Sequence, residues 1–446
     1  MKSVVILLPG LAQRSVSRHN PAMRISLIAY GTRGDVQPVL ALARALVEAG
    51  HPVRMAAGSE FRDRIASCGV EPASSSMAAR ELMTSDDGRL WADLGTNPFL
   101  QARVMRRLVL RTARAMMDEA WDACRDADVI LGTSSAEPFG PSFAQKLGVP
   151  FITTLLQPAF RATRSGAATW MAPLPGRSSV LNYAAGKLLV EGAFHWMSSD
   201  LVNDFRTGTL GLPPQSTRRW IDAAKSRPVL MGISRHVTPH PEDWPPPYHT
   251  TGYWFLDDPE PWSPPPGLEA FLENGEPPVA IGFGSMTTRD AAAVTQMLLE
   301  GVSRSGKRVV LLSGWAGIGN TEHPENVFVV DSAPHAWLFP RMAAAVHHGG
   351  SGTTAAALRA GIPQIVVPHL GDQPYWGRRM HELGVAPKPV PKPKLTALRL
   401  ATAIREVTGD PRYAAAAEVL GALVRAEDGL AAAVELVERY ALTERS

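Results

Sequence analysis

What the sequence has little of narrows it first. Only two cysteines, Cys68 and Cys124, occur in 446 residues. That is too few for a disulfide framework or a thiolate zinc cluster, so both are expected as small core side chains in a reducing cytoplasm. Neither sign of charge dominates: 45 basic against 42 acidic side chains leave a net charge of +3, too even a balance to imply nucleic acid as a partner. No apolar run approaches the roughly eighteen residues of a membrane span. The first residues, with Lys2 ahead of a short apolar run, have a faint leader-like look, but Pro9 breaks it. Residues 1–22 are therefore expected to be a disordered or mis-called extension, with the folded chain starting near Met23.

What is present is an alternation of short apolar runs and amphipathic stretches. Residues 24–30 read as a buried strand, Gly31-Thr-Arg-Gly-Asp35 as the turn after it, 36–49 as a helix stopped by Gly50, and 53–57 as the next strand. Runs at 129–132, 151–159 and 229–233 are further strands, the last closing the first set. A second series begins with a strand at 278–286 and a helix over 289–303, and continues through strands at 307–313 and 326–330; residues 413–440 read as helical. This order predicts an α/β fold of two doubly wound, Rossmann-like domains facing a cleft. The proline-rich passage at 257–266 is too stiff for a helix or a central strand. The linker is accordingly placed at 256–268, between a domain over 23–255 and one over 269–446.

The chemistry concentrates between Ala343 and Asp372. An apolar strand at 343–346 enters the turn His347-His-Gly-Gly-Ser-Gly-Thr-Thr354 and then a helix of about two turns over 353–360, stopped by Gly361 and Pro363. A glycine-rich turn on a helix N-terminus suits phosphate, because free backbone N–H groups and the positive dipole end point at it. Gly349, Gly350 and Gly352 allow close approach, Ser351, Thr353 and Thr354 offer hydroxyls, and His347 and His348 offer imidazole donors. A second apolar run at 364–367 ends in a loop with Asp372 and Gln373, a pair suited to sugar hydroxyls. Neither dinucleotide glycine spacing nor a P-loop lysine occurs at this turn.

Other features read two ways. Asp35, at a helix entrance, is an N-terminal cap or a base. Residues 97–124 read as one helix with Arg103, Arg107, Arg111 and Arg114 on one face, either a solvated stripe or a contact for anionic lipid. Asp126-Ala-Asp128 has the spacing of a metal-binding pair, but its place after that helix favours a helix end facing water. Residues 160–202, with Trp170, Met171, Trp196 and Met197, suit a wall over a greasy ligand or packing between helices. Ser285 caps a helix or reaches a phosphate.

Three segments, Ser332-Ala-Pro-His-Ala-Trp-Leu-Phe-Pro340, His347 to Thr354 and Gly371-Asp-Gln-Pro-Tyr-Trp376, resemble the donor-binding signature of the family 1 glycosyltransferases. The likeness is nearest to the sterol 3-β-glucosyltransferases, then to bacterial glycopeptide-antibiotic glycosyltransferases, and runs from Met23 onward. It implies a GT-B fold and an inverting transfer of a hexose, glucose from UDP-glucose, to a hydroxyl on a hydrophobic acceptor. It also implies no cofactor and no metal, with the UDP-sugar as co-substrate. By the same resemblance Ser285, His348, Gly350, Ser351, Gly352 and Thr353 hold the diphosphate, and Asp372 and Gln373 hold the sugar. The loop around Ala333 and His335 meets the base, and Asp35 takes the acceptor proton on the acceptor-side turn Gly31, Thr32, Arg33 and Gly34. The plant enzymes' stacking tryptophan is absent before Pro334, and Ala356 stands where they carry an acid for ribose. The final helix is expected to cross back onto the first domain, in a cytoplasmic monomer with peripheral membrane contact. A TDP-sugar-dependent antibiotic glycosyltransferase, a sugar-nucleotide epimerase of similar fold and a non-enzymatic binder are the rival readings.

Overall fold

The computed structural model describes residues 21–93, 98–158, 161–165, 180–257, 262–284, 290–314, 318–319 and 322–443. Ile25–Ile28 (β1), Val53–Ala56 (β2), Glu71–Pro72 (β3), Val129–Gly132 (β4), Phe151–Leu155 (β5), Val229–Met231 (β6) and Tyr248–Thr250 (β7) form one sheet in the order β3-β2-β1-β4-β5-β6-β7. Val279–Gly282 (β8), Val309–Leu312 (β9), Val327–Val330 (β10), Ala344–His347 (β11) and Gln364–Val366 (β12) form a second, ordered β10-β9-β8-β11-β12. Every pairing is parallel. β1, β4 and β5 are buried along their whole length. Helices cover both faces of such a sheet, which is why these strands are continuous apolar runs rather than alternating ones.

Two reversals of strand order place the functional turns. The first sheet grows outward in opposite directions from the β1/β4 pair, and the second from the β8/β11 pair. At such a reversal the connecting helices depart to opposite faces and a crevice opens beyond the strands' carboxyl ends. The turn ending in Asp35 follows β1 and leads into the helix Arg33–Glu48, Ser135 follows β4, Gly284 follows β8, and His348 to Gly350 follow β11. The Tyr30 backbone N–H donates to Ser135 Oγ at 3.2 Å, tying the two loops of the first crevice together.

Apolar packing joins the two sheets. Trp376, wholly buried, shares one core with Leu155, Met231 and Tyr253 from the first sheet's side and Leu358, Met380 and Leu420 from the second's. The last helix, Gly429–Thr443, lays Ala433, Val437 and Ala441 against Ile25, Val39 and Leu46 beneath the first sheet. His51 Nε2 lies 3.1 Å from Glu438 Oε1 along that contact. Arg359 adds a further tie, binding Asp257 at 2.7 Å with its guanidinium 4.5 Å from the Phe255 ring centre.

Several sequence expectations change. β6 does not close the first sheet: β7 follows it, a three-residue strand containing His249 whose pairing with β6 depends on tertiary context. The helical stretch at 413–440 is two helices, Pro411–Arg425 and Gly429–Thr443, with Asp428 Oδ1 accepting from the Ala431 N–H at 3.0 Å where the second begins. The arginine face of the helix Pro98–Cys124 is partly neutralised, since Arg111 pairs with Asp87 and Arg114 with Asp118, each at 2.9 Å. Asp126 binds Arg54 at 2.7 Å and Asp128 accepts the Arg24 N–H at 2.8 Å, so this pair staples the strand β1 edge to its neighbours. Among the described residues no group of three or more metal-binding side chains converges, and no helix is long and apolar enough to cross a membrane. Residues 1–20 of the expected extension, with Trp170 and Met171, lie outside the described residues, as does the side chain of Trp196.

Gly429 is where the last helix meets the first sheet's unit. A Cβ there would come within 2.6 Å of the Gly252 carbonyl carbon and oxygen and of the Tyr253 oxygen, all backbone atoms that cannot swing aside. Gly429→Ala is therefore expected to lower stability by about 1–3 kcal/mol. Limited proteolysis should then cut within 429–443 faster than in the wild type; unchanged melting and cleavage would mean the contact is not held in solution.

Candidate active site

The helix expected from Thr353 begins two residues earlier, at Ser351, with Gly350 as its N-terminal cap residue. The N–H groups of Ser351, Gly352 and Thr353 therefore have no partner within the helix. Gly349 sits at φ +89°, where a Cβ would meet Val366 Cγ1 at 2.6 Å, and a Cβ on Gly350 would meet His348 Nε2 at 2.5 Å. Gly352 would meet nothing within 4 Å, so the chain is tight on its protein side and open on its cavity side.

His348 is the ring around which this turn closes. It stands between Gly350 and Gly284, whose added Cβ would lie 3.5 Å from its Cε1, and its buried Nδ1 has no hydrogen-bond partner. Burial, then the neighbouring rings of His347, His369 and His335, hold its pKa well below the usual imidazole value. A neutral ring gives one N–H to a ligand without bringing a charge. His347, by contrast, is internal: Nε2 meets Gln364 Oε1 at 2.8 Å, Nδ1 accepts the Gly349 N–H at 3.0 Å, and burial lowers its pKa to about 4. It shapes the turn and offers no donor to a ligand, contrary to the sequence expectation. Thr354 likewise turns inward, fully buried. Ser351 Oγ donates to the Leu156 carbonyl at 2.7 Å, reaching the loop after β5 on the opposite side of the cleft.

Asp372 caps the helix Gln373–Glu382 and accepts from Trp376 Nε1 at 2.7 Å. Burial pushes its pKa up to about 6; the indole N–H opposes the rise and the negative charge of Asp35 adds to it. These two acids, one from each sheet, thus face each other across the cleft. Gln373 is committed to its loop, its Oε1 accepting from the His369 and Leu370 N–H groups at 2.7 and 3.0 Å. The cap of the helix Arg33–Glu48 is Thr32 and not Asp35 as the cap reading expected; Asp35 stands at the third helical position as its capping-box partner, where Oδ2 accepts the Thr32 N–H at 2.8 Å and the Thr32 hydroxyl at 3.1 Å. It also lines the cavity, and burial raises its pKa against those two hydrogen bonds. A Cβ on Gly31 would lie 2.5 Å from Asp35 Oδ2, so the turn requires glycine there. Thr32, Arg33 and Gly34 complete the lining of this turn.

Ala333 is buried, and the His335 ring stacks on Phe339 with 4.3 Å between centres and 11° between planes. Burial and the charge of Arg33 lower the His335 pKa to about 3. Ser285 lies outside the described residues. All the other expected site residues line one cavity of about 1350 Å³ between the sheets. Its first-sheet end is walled by Met77, Met83, Leu108, Met116, Met197 and Val202. Of these, only Met197 and Val202 fall in the stretch 160–202 expected to form the wall; Met116 and Leu108 sit on the arginine-striped helix, whose charge pattern masks its apolar face.

A model described as the glycosyltransferase family 28 N-terminal domain matches residues 25–162, and one described as the erythromycin biosynthesis protein CIII-like C-terminal domain matches 296–434. The chain is 34% identical over 437 residues to the sterol 3-beta-glucosyltransferase UGT80B1 of Arabidopsis thaliana, covering 95% of this chain and 69% of that protein. It is 33% identical to a sterol 3-beta-glucosyltransferase of Glomerella lagenarium, of whose length it spans 28%. Among solved structures, the glycotransferase of kitacinnamycin superposes with a TM-score of 0.69 at 21% identity, over 94% of this chain and 100% of that one. The glycosyltransferase VinC in complex with dTDP superposes at 0.63 and 21%, over 94% and 100%. Identities this low carry the fold alone.

An acid whose folded pKa lies above its ordinary value near 4 favours the fold most when protonated. For Asp372 that contribution is full below its unfolded pKa and is lost as pH rises through about 6. Asn keeps an acceptor for Trp376 and never ionises. Asp372→Asn is expected to melt above the wild type at neutral pH, by roughly 1 °C per kcal/mol recovered, with the gap closing below about pH 4. A difference that does not change with pH would contradict the assignment.

Proposed function

Because the chain belongs to the GT-B glycosyltransferases, with the sterol 3-beta-glucosyltransferases among its relatives, we propose that it moves glucose from UDP-glucose to a hydroxyl on a hydrophobic acceptor, with inversion. The observation that carries this reading is the placement of Asp35 and Asp372 on opposite sides of one cavity, with a phosphate-type turn beside one and a methionine-rich wall beside the other. The same reading divides the chain into an acceptor-binding unit over 23–255, a linker over 256–268 and a donor-binding unit over 269–446.

In this mechanism the diphosphate rests on the Ser351, Gly352 and Thr353 N–H groups and on His348, with Ser285 approaching from the loop after β8. Asp372 and Gln373 hold sugar hydroxyls, and the loop at Ala333 and His335 meets the base. The acceptor oxygen attacks the anomeric carbon from the Asp35 side; its proton passes to the Asp35 carboxylate, while the carbon–oxygen bond to the diphosphate breaks and its electron pair leaves with the diphosphate. Burial strengthens Asp35 as a base by raising its proton affinity. The helix N-terminus offsets charge growing on the leaving group, the work a metal does in other transferases.

Before it can reach a phosphate, Ser351 has to leave the Leu156 carbonyl, so donor binding and cleft geometry are coupled. A cavity that continues past the donor turn into an apolar wall favours transfer over sugar epimerisation, which needs no second substrate pocket. A dTDP-sugar is the second donor reading, supported by the dTDP held in VinC and by the absence of a tryptophan before Pro334.

Asp35→Asn keeps an acceptor for Thr32 and removes the base. Turnover is expected to fall by roughly 10²–10⁴-fold, with UDP affinity and melting temperature close to wild type. Near-normal turnover in this variant would remove Asp35 from the mechanism.

A further inference from the structure

Arg33, Arg80, Arg359 and Arg425 line the cavity. Arg359 is held by Asp257 and Arg425 by Glu418, both at 2.7 Å, and Arg80 has interactions of its own. Arg33 differs from all three. Its Nε donates to the neutral amide of Gln37 at 2.7 Å, and among the described residues no carboxylate pairs with its guanidinium. The side chain is exposed into the cleft. Partial desolvation by the surrounding cleft walls and the charge of Arg64 lower its pKa, yet a guanidinium stays protonated at any working pH.

Its position gives that charge a direction. Arg33 shares the lining of that cavity with His335 and His348 from the opposite sheet's side, and its charge helps to lower the His335 proton affinity. His348 carries a buried Nδ1 with no partner, beside the open N–H groups at Ser351 to Thr353. Donors from both sheets thus line the same cavity, with an orphaned polar atom among them.

We propose that Arg33 grips the diphosphate of the nucleotide donor from the acceptor-side sheet, opposite the helix Ser351–Arg359. This rests on the glycosyl-transfer reading and extends it, since the turn bearing Arg33 was assigned to the acceptor. The leaving group is then held from two sides, by backbone N–H groups on one and a planar, multiply donating cation on the other. Arg33 and Asp35 share a single tight turn, so a diphosphate bound to the first fixes the approach of the second to the anomeric carbon.

Calorimetric titration of the full chain with UDP, dTDP and uridine tests this, using wild type, Arg33→Gln and Arg33→Lys at low and moderate salt. Arg33→Gln is expected to weaken UDP binding about tenfold or more while uridine binding changes by less than about twofold. Arg33→Lys should recover part of the loss, and the salt dependence of UDP binding should shrink in Arg33→Gln. UDP binding unchanged in Arg33→Gln, or UDP and uridine weakened alike, would overturn the assignment. A wild type that binds neither UDP nor dTDP would remove the donor-site reading itself and this inference with it.

Discussion

The site depends on how closely five glycines let the backbone approach its neighbours. Gly314, at φ +57°, would drive a Cβ to within 2.5 Å of the Gly284 carbonyl oxygen; Gly284 borders the His348 ring, and Gly350 closes on its other side. Gly349 abuts Val366 and the Gln373 carbonyl, and Gly31 abuts Asp35. A side chain at Gly314, Gly349, Gly350 or Gly31 would push a strand end or a functional group out of place. This compaction withdraws His348 from water, leaves its Nδ1 without a partner, and aims the N-terminus of Ser351–Arg359 at the cavity.

Compaction also sets the electrostatics. Water is scarce around the polar groups, so the acids Asp35 and Asp372 are pushed toward their protonated forms and the imidazoles of His335, His347 and His348 toward neutrality. Arg33 and the backbone N–H groups escape this suppression, the first because a guanidinium does not give up its proton at working pH and the second because a peptide N–H does not titrate there. An anionic ligand therefore meets charge where the protein cannot neutralise it, and a hydroxyl-bearing ligand meets acids that hold protons readily.

Much of this was legible in the sequence, for local reasons. Continuous apolar runs between glycine turns can only be strands buried on both faces, and a glycine-rich turn ahead of an alanine-rich helix carries its anion chemistry in short-range pattern. What the sequence hid depends on long-range contact. Residue type does not distinguish His347 from His348, and only the resemblance singled out the second; the Gln364 side chain beneath one and Gly284 beside the other make the first structural and the second available. The strand β7 exists because β6 offers it an edge, and the break before Gly429 exists because Gly252 occupies the space beneath it. The methionine wall was hidden because its members come from separate helices and, for Met77, the loop ahead of one, which meet only in the fold.

The most direct test of the account is product formation. Purified protein incubated with UDP-glucose should release UDP only when a suitable acceptor, drawn from a sterol, a flavonoid and a macrolide, is present, and mass spectrometry should find that acceptor heavier by one hexose in the inverted, β configuration. UDP-glucose that binds but is epimerised without any acceptor, or a product that retains the donor's anomeric configuration, would contradict it.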